Sequence, residues 1–564
     1  MTKLEDSEKS IPVSVENGKE EVFEESNAGD GTRREDQYLH GYRLALCVVA
    51  LLLSLFIMSI SQTIILIILT EVGNKFDGVG KINWITSGYL LAIAVLTQTW
   101  GKLSILIGRK LTLSISLIFF EAGTLLCALS NSMDMLIGGR VLAGVGAGGI
   151  QASVFVVLSE VLPIQYRTYG MMLMSMTGTT ASIIGPLIGG ALSRVSWRWC
   201  FYFNIPIGGA AFVYLQLFFN PPKPKGKLLK KLKLLDYVGT LLVCGAAVLI
   251  LLGLSFGSNQ EFDWKSAPVI VCLTVGGLLL IAFLIWNFNY SKYPLIPVDV
   301  AKSWQVEASV LTGCAMFGYF FSNQIYISVY FQVIHGWNAW ESGLHLLPLI
   351  ISSVISSIGG SLLIQKTKFI KPFSIFAAAC GLVGNSILYL LDVDSNLAKI
   401  IGLLILPGLS TGMQVQSTVM LVQVSAPKTA GSTIMATTYY NFLRTLCGAV
   451  AADLATLTYN ESLKSKLTHA LSNITDPALA QELSSIELSE ILSNTTILNQ
   501  LSSAAQYFIK NEIMGAIRNV FHVSAGFGGL CLIASCFQVN HRLPTKSKGV
   551  ENDETIKVDK ETSS

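Results

Sequence analysis

Long apolar stretches alternate with short polar segments along almost the whole chain. About fourteen stretches are present, each close to the roughly 20 residues that a helix needs to cross a bilayer. Because backbone polar groups in lipid must be hydrogen-bonded within the protein, we expect each stretch to form a helix. The pattern therefore predicts an all-α membrane protein with spans at residues 44–70, 82–103, 111–130, 135–158, 169–193, 200–219, 237–256, 267–288, 306–333, 343–364, 371–391, 398–421, 431–457 and 516–538.

Composition supports a membrane protein and excludes several other classes. Hydrophobic residues make up 51% of the chain and charged residues 13%, against about 25% charged residues in typical soluble domains. A net charge of +3 gives no support for nucleic-acid binding. The ten cysteines form no C-x-x-C pair, so neither a metal site nor a disulfide framework is expected. The sequence has no P-loop, H-E-x-x-H motif or nucleophile elbow, and we expect neither a cofactor nor an enzyme.

Basic residues between the spans predict which side faces the cytoplasm. Six lysines lie in loop 220–236, and shorter basic loops surround Arg109 and Lys368. Cytoplasmic loops carry an excess of Lys and Arg, and all three loops fall on one side if the spans alternate. We therefore expect residues 1–43 and 541–564, which are polar, to be disordered cytoplasmic tails.

The same alternation divides the chain into parts. We predict a six-helix half at 44–219, two linker helices at 237–288 and a second six-helix half at 289–540. The long polar segment 458–513 falls on the outer or lumenal side. It contains three N-x-S/T sequons, which make candidate glycosylation sites of Asn460, Asn473 and Asn494.

A series of short motifs follows the spans in a fixed order. They comprise Trp84–Ala92, Gly101–Lys110, Arg140–Gly149, Gly178 with Gly185–Gly190, Trp197–Gly208 and the segment His345-Leu346-Leu347-Pro348. Together they resemble the fourteen-span drug:proton antiporter branch of the major facilitator superfamily over residues 44–540. The Trp-Arg-Trp-Cys-Phe-Tyr run and the His-Leu-Leu-Pro segment are most similar to fungal members, which include azole- and dye-resistance exporters and vacuolar basic amino acid transporters.

The resemblance implies an architecture and a function. It implies fourteen helices arranged six plus two plus six, with halves that rock around a central cavity. Expected partners are a small-molecule substrate, protons and the lipid bilayer, and the chain is expected to be a monomer. The resemblance favours export of drugs or organic cations across the plasma membrane. Import of basic amino acids into the vacuole is the alternative, and a nutrient sensor without transport is a third possibility.

Glycines at helical spacing predict close approach between helices. Gly178, Gly185 and Gly189 share one face of the fifth span, next to Gly190, and Pro186 removes a backbone bond there. In the resembling family these residues form the antiporter motif. Gly144 and Gly148 share a face of the fourth span with Arg140. Ordinary tight packing would use the same pattern.

Four ionisable residues inside spans are the candidates for proton coupling or transport, because charge in lipid is costly. Arg140 matches a family arginine implicated in proton transfer, although an ion pair or snorkelling would also explain it. Glu121 lies mid-span, where desolvation favours its neutral form, as it would for a purely structural glutamate. Arg444 is expected in the cavity, and Asp453 lies on the opposite face of the same span. Glu160 is expected to be solvated or to cap a helix.

Two positions depart from the family pattern. Ser61 stands where most members carry a first-span Asp, and serine carries no proton in this pH range. The segment Gly101–Lys110 lies in the predicted loop after the second span and is called the loop motif. In it, Ile105 replaces an Asp of the family pattern, while Gly101, Gly108 and Arg109 remain. Coupling would then depend on Glu121, with Arg140 adjusting its proton affinity or linking it to the substrate.

Overall fold

The computed structural model describes residues 39, 41–76, 82–162, 166–222, 235–258, 262–337, 339–427, 429, 431–472 and 501–540. Residues 1–38 and 541–564 of the predicted tails, most of the basic loop and the sequons at Asn473 and Asn494 lie outside these residues. All predictions about them therefore stay predictions. Residues 41–43, at the end of the first predicted tail, belong to a helix.

Fourteen long helices form the described part of the chain, and each overlaps one of the predicted spans. They are α1 Gly41–Lys75, α2 Ile82–Ile107, α3 Arg109–Ala128, α4 Met133–Val161, α5 Arg167–Ser193, α6 Asn204–Phe218, α7 Tyr237–Ser258, α8 Ala267–Ile285, α9 Trp304–Val329, α10 Leu347–Thr367, α11 Lys371–Ile387, α12 Leu397–Ser425, α13 Ser432–Ser472 and α14 Ser503–Cys536. Short helices occupy Trp199–Tyr202, Val298–Lys302 and Ala339–His345, and the helical turns Trp286–Tyr290, Tyr330–Ile334 and Leu388–Leu390 extend α8, α9 and α11.

Eleven of the described helical segments are long and apolar enough to cross a membrane. The helices α5, α9 and α13 do not meet that combination of length, hydropathy and few charges, although each is longer than 20 residues. The all-α fold is confirmed, and a count of fourteen membrane crossings stays a prediction.

Small residues allow the helices of the first group, α1–α6, to pack closely. A Cβ added at Gly123 in α3 would lie 2.2 Å from the backbone nitrogen of Ala143 in α4, and one at Gly146 would lie 2.2 Å from the backbone nitrogen of Phe120. Such approach brings the backbones themselves into van der Waals contact, which drives helix association in lipid.

Glycines also allow close packing of the helices in the second group, α9–α14. A Cβ at Gly412 in α12 would lie 1.9 Å from the carbonyl oxygen of Ser353 in α10, and one at Gly384 in α11 would lie 2.7 Å from the nitrogen of Pro407. The remaining long helices, α7 and α8, pack against each other, and α7 also contacts α2 and α13.

One large cluster of buried apolar side chains contains residues of both groups and lies at one end, while α5 also contacts α10 and the short helix Ala339–His345. One cluster takes in Phe155 and Leu158 from α4 together with Val422 from α12 and Tyr440 from α13. This is the end that the basic loops predict to be cytoplasmic. At the opposite end, one cluster lies around Trp197 in the first group and a separate cluster lies in the second group.

The prediction of a loop over 458–513 is wrong at both its ends. Residues 458–472 continue α13, and residues 503–513 belong to α14. The extension of α13 is amphipathic: Leu463 and Leu467, four residues apart, are each 1% exposed and join the apolar cluster of the second group. In addition, the amide of Asn519 in α14 donates to Ser462 Oγ at 3.1 Å.

Candidate functional site

Arg140 lies inside the first group, where its side chain is 1% exposed. Its Nη1 donates to Ser61 Oγ at 2.9 Å, and its Nε donates to the carbonyl oxygen of Ile85 at 3.1 Å. The guanidinium carbon lies 3.9 Å from the ring centre of Tyr89. Arg140 therefore holds α1 and α2 against α4, and the snorkelling alternative is wrong.

The charge of Arg140 has only neutral partners among the described residues. Its Nη2 is buried and makes no hydrogen bond there, and no described carboxylate lies within ion-pair distance. The ion-pair alternative is therefore wrong for this part of the chain. The ring of Tyr89 offsets part of the desolvation by a cation–π contact. Gly144, one turn along α4, permits this arrangement, because a Cβ there would lie 2.6 Å from the carbonyl oxygen of Tyr89.

Arg444 occupies the contact between the two helix groups. It lies on α13 and is 4% exposed, with its guanidinium carbon 4.4 Å from the ring centre of Phe317 in α9 and 5.2 Å from that of Tyr440. The ring of Phe155, 5.1 Å away, comes from α4 in the first group. The expected cavity residue is therefore enclosed by aromatic rings from both groups. Asn441, one turn earlier, is fully buried.

Glu121 lies between α3 and α6, on the side of the first group away from the second. Its carboxylate packs against Gly208, where a Cβ would lie 1.6 Å from Oε1, and near Ile57. Both carboxylate oxygens are buried and make no hydrogen bond among the described residues. On the same helix, Ile118 is 55% exposed, as expected for a lipid-facing surface. Glu121 and Arg140 are not in direct contact. The expectation that Arg140 adjusts the proton affinity of Glu121 therefore has no direct contact to support it.

Asp453 is half-buried on α13. It lies nine residues after Arg444 on an unbroken helix, which places the two on opposite faces. Asp453 makes no ion pair or hydrogen bond with a described residue. It shares its face with Asn460 and is a second unpaired carboxylate within the bundle.

The end of α2 contacts the second group directly. A Cβ added at Gly101 would lie 2.2 Å from Cγ2 of Thr438 in α13, so glycine permits this approach. One turn earlier, Gln98 Nε2 donates to the carbonyl oxygen of Leu295 at 3.0 Å. Lys102 Nζ donates to the carbonyl oxygens of Tyr293 and, at 2.8 Å, Pro294. The loop motif therefore fastens α2 to α13 and to the segment before α9.

Comparison with known proteins decides the family. The profile described as "Major Facilitator Superfamily" matches residues 51–452. The chain belongs to the major facilitator superfamily. It is an integral, multi-pass membrane transporter and not an enzyme.

Relatives of the superfamily resemble this chain over most of its length. Vacuolar basic amino acid transporter 5 of Saccharomyces cerevisiae is 31% identical, with 92% of this chain and 94% of the relative covered. Azole resistance protein 1 of the same yeast is 30% identical, with 91% of each chain covered. A bacterial homologue of the human lysosomal transporter Spinster, solved inward-facing and unoccupied, has a TM-score of 0.51 at 12% identity, covering 88% of this chain and 98% of its own.

In this member of the superfamily, the remaining loop-motif residues support the turn from α2 to α3. Gly108 has a φ of 99°, a left-handed conformation that glycine adopts without steric cost. Arg109 follows and donates twice to Glu160, from Nε at 2.9 Å and from Nη2 at 2.8 Å. Glu160 is 3% exposed. The expectation that Glu160 is solvated or caps a helix is wrong, because it forms a buried ion pair.

The glycines of α5 differ in their surroundings. A Cβ at Gly185 would lie 2.0 Å from Thr63 Oγ1 in α1, which confirms close approach there. Gly189 is buried, and its carbonyl oxygen accepts from Cys200 Sγ at 3.7 Å. No described atom lies within 4 Å of where a Cβ would stand at Gly178 or Gly190, so close approach at Gly178 stays a prediction. Pro186 lies within α5, and Gly148 in α4 packs on Ile93.

Asn460 lies on α13 rather than in a loop. Its side-chain amide donates to the carbonyl oxygen of Ser258, at the end of α7, at 2.7 Å. A half-buried asparagine held in a helix is a poor acceptor for a glycan, which needs an accessible loop. The structure therefore contradicts this candidate site, and Asn473 and Asn494 stay predictions.

The sequence identified the charged residues inside the spans but not the residues that contact them. Thr438 and Phe155 carry no polar or charge pattern that would single them out. Only the fold reveals that Thr438 lies so close to Gly101 that a Cβ there would overlap it, and that the ring of Phe155 from the first group lies against Arg444. Ser61 departs from the family pattern, and its hydroxyl accepts a hydrogen bond from Arg140, a contact that the sequence does not indicate.

Proposed function

We propose that this transporter is a proton-coupled antiporter that exports drug-like organic compounds, organic cations among them, from the cytosol. The observation that carries the proposal is the asymmetry of the core: one apolar cluster joins the two groups at one end, and separate clusters fill the other end. Two helix groups that share an apolar cluster at one end and have separate clusters at the other favour alternating access, because rocking exposes the contact between them to each side in turn.

Glu121 is our candidate for the proton carrier. A carboxyl whose two oxygens are buried without partners is far more stable when protonated, so a change in its surroundings would release or bind a proton. Its contact with Gly208 means that a shift of α6 against α3 changes those surroundings. Asp453 is the second candidate. Ser61 carries no ionisable proton, and Arg140 has a packing role between α1, α2 and α4.

Further features of the proposal come from the sequence. We place the protein in the plasma membrane as a monomer, with six plus two plus six spans and both termini in the cytoplasm. The name azole resistance protein 1, carried by a relative with 91% of each chain covered, supports export of toxic compounds.

Import of basic amino acids into the vacuole is the second candidate. The name of the relative that is 31% identical over 564 aligned residues favours it. Both functions move cargo out of the cytosol against protons, so the membrane and the cargo distinguish them.

Flux in sealed vesicles tests the proposal. Purified protein in liposomes with an imposed pH gradient receives a fluorescent cationic dye or radiolabelled arginine. We expect gradient-driven dye movement, its loss in Glu121→Gln and its retention in Glu461→Gln, which changes an exposed carboxylate of α13. Gly208→Ala should also impair coupling, since the added methyl overlaps the Glu121 carboxylate. Arginine movement without dye movement would favour the vacuolar function, and no movement of either would contradict both.

A further inference from the structure

Arg444 and Asn441 form a buried polar site that contains a positive charge and no counter-ion among the described residues. Arg444 is 4% exposed and Asn441 is fully buried. Arg444 Nε and both amide atoms of Asn441 make no hydrogen bond in the described part of the chain. Each such group is costly to bury, and a buried charge without a partner is the most costly.

The two residues point the same way. They are three residues apart on the unbroken helix α13, which places them on one face. Three rings surround the guanidinium at 4.4 to 5.2 Å, those of Phe317, Tyr440 and Phe155. Because Phe155 belongs to α4, separation of the two helix groups would open the site to water.

Nearby acids do not supply the missing charge. Glu307 in α9 accepts a hydrogen bond from Tyr439 Oη at 3.0 Å, and Asp453 lies on the opposite face of α13. No described carboxylate lies within ion-pair distance of Arg444. Within the described part of the chain the charge of Arg444 has no counter-ion, which leaves room for an anionic ligand.

We infer that Arg444 and Asn441 bind the carboxylate of an aromatic cargo, at the contact between the two helix groups. The inference rests on the proposed function and names a class of its substrates. A carboxylate accepts from the guanidinium and from the Asn441 amide, and both bonds are strengthened by charge. The surrounding rings pack on the flat body of the cargo. The same positive charge repels a cation, so this site binds only the anionic members of the proposed cargo, and the organic cations among the cargo do not bind at Arg444.

Three probes with one ring system test the charge preference: 1-naphthoate, neutral 1-naphthamide and cationic 1-naphthylmethylammonium. Binding is measured as the rise in melting temperature of the full-length protein in detergent. We expect 1-naphthoate to stabilise the wild type more than the other two probes. Arg444→Gln should weaken apparent naphthoate binding about tenfold to a hundredfold, the loss expected for a charge-assisted hydrogen bond.

Asn441→Asp is the decisive variant, because it is nearly isosteric and supplies an internal carboxylate one turn from Arg444. It should fold at least as well as the wild type and lose the preference for 1-naphthoate. Arg444→Lys keeps the charge and should retain part of the binding. Arg43→Gln, at an exposed arginine of α1, should change nothing.

Two results would overturn the inference: no stabilisation of the wild type by 1-naphthoate, or equal stabilisation of the wild type and Asn441→Asp. Vesicle flux of the same probes separates this from the proposed function. If the wild type binds 1-naphthoate through Arg444 but moves no probe, export is wrong and the site stands. If probes move with the same charge preference in Asn441→Asp, export stands and the site is wrong.

Discussion

Ser61 Oγ accepts a hydrogen bond from Arg140 Nη1 at 2.9 Å, so a hydroxyl rather than a carboxylate faces this buried charge. We predict that Ser61→Ala lowers the free energy of unfolding by about 1.5–3 kcal/mol, since a charged donor loses its partner. Ser61→Asp should raise the melting temperature at neutral pH, and the gain should disappear in acid as the new carboxylate is protonated. Thermal unfolding in detergent measures both. Ser54→Ala is the matched control, because that buried serine bonds only within α1, to Ala50. Equal effects of the two alanine variants would contradict this role of Ser61.

The contact of Gly101 with Thr438 should control closure of one end. Gly101→Ala adds a methyl 2.2 Å from Thr438 Cγ2, so we expect the ends of α2 and α13 to separate. Spin labels at Tyr166 and Lys366, which are exposed at this end on different helix groups, should report longer distances.

A second substitution should restore the closed end in the Gly101→Ala variant. Thr438→Gly removes every side-chain atom that the new methyl overlaps, so the double variant should restore the wild-type distances. If the distances do not change in Gly101→Ala, closure does not depend on this contact.

The ion pair of Arg109 and Glu160 should contribute strongly to stability. Both side chains are almost fully buried. Glu160→Gln removes the carboxylate charge that faces the buried Arg109 guanidinium, and we expect a loss of about 3–5 kcal/mol in the free energy of unfolding. Replacing both residues with methionine should recover much of that loss, because no charge is then buried. Denaturant titration in detergent measures the three proteins. A double variant as unstable as Glu160→Gln would contradict the argument.

The stack of His335, Trp337 and His345 should make the opposite end sensitive to acid. Trp337 lies between the two imidazoles, with ring centres 4.5 Å from His335 and 3.7 Å from His345. Partial burial, Lys510 and His345 lower the pKa of His335. Its Nε2 lies 3.0 Å from Tyr330 Oη, which donates to the backbone oxygen of Asp392.

A lowered histidine pKa means that the packed state binds fewer protons than the open state. The stack is therefore fully stabilising above about pH 6.5 and weakens as the pH falls below that value. The short helix Ala339–His345 also contacts α5 in the first group, so acid should loosen this contact. We expect the melting temperature to fall less between pH 7 and pH 5 in His335→Gln than in the wild type. His522→Gln, which alters a histidine beside Tyr389 instead, should keep the wild-type pH dependence; equal profiles for all three would exclude the stack as the cause.

Hydropathy alone predicted where the helices lie, because a span must be apolar for about 20 residues. The prediction failed at the extension of α13, because the amphipathic helix there contains too many polar residues to be recognised by hydropathy. The spacing of Leu463 and Leu467 was the available signal.

Side-chain partners could not be predicted in the same way. Arg140 and Ser61 are 79 residues apart, and Arg109 and Glu160 are 51 residues apart. Only tertiary packing brings such pairs together. The prediction for Glu160 is wrong because a position near the end of a span gives no information about Arg109 on the neighbouring helix. Burial of Glu121 could be anticipated from its sequence position, but its contact with Gly208 could not.

The most direct test of the account is whether cargo and protons exchange. Protein in liposomes without an imposed pH gradient is given a steep gradient of the cationic dye, and the internal pH is followed with a trapped indicator. We predict that downhill dye movement drives protons the opposite way, and that Glu121→Gln moves dye without moving protons. Dye movement with no proton movement in the wild type would contradict proton-coupled antiport.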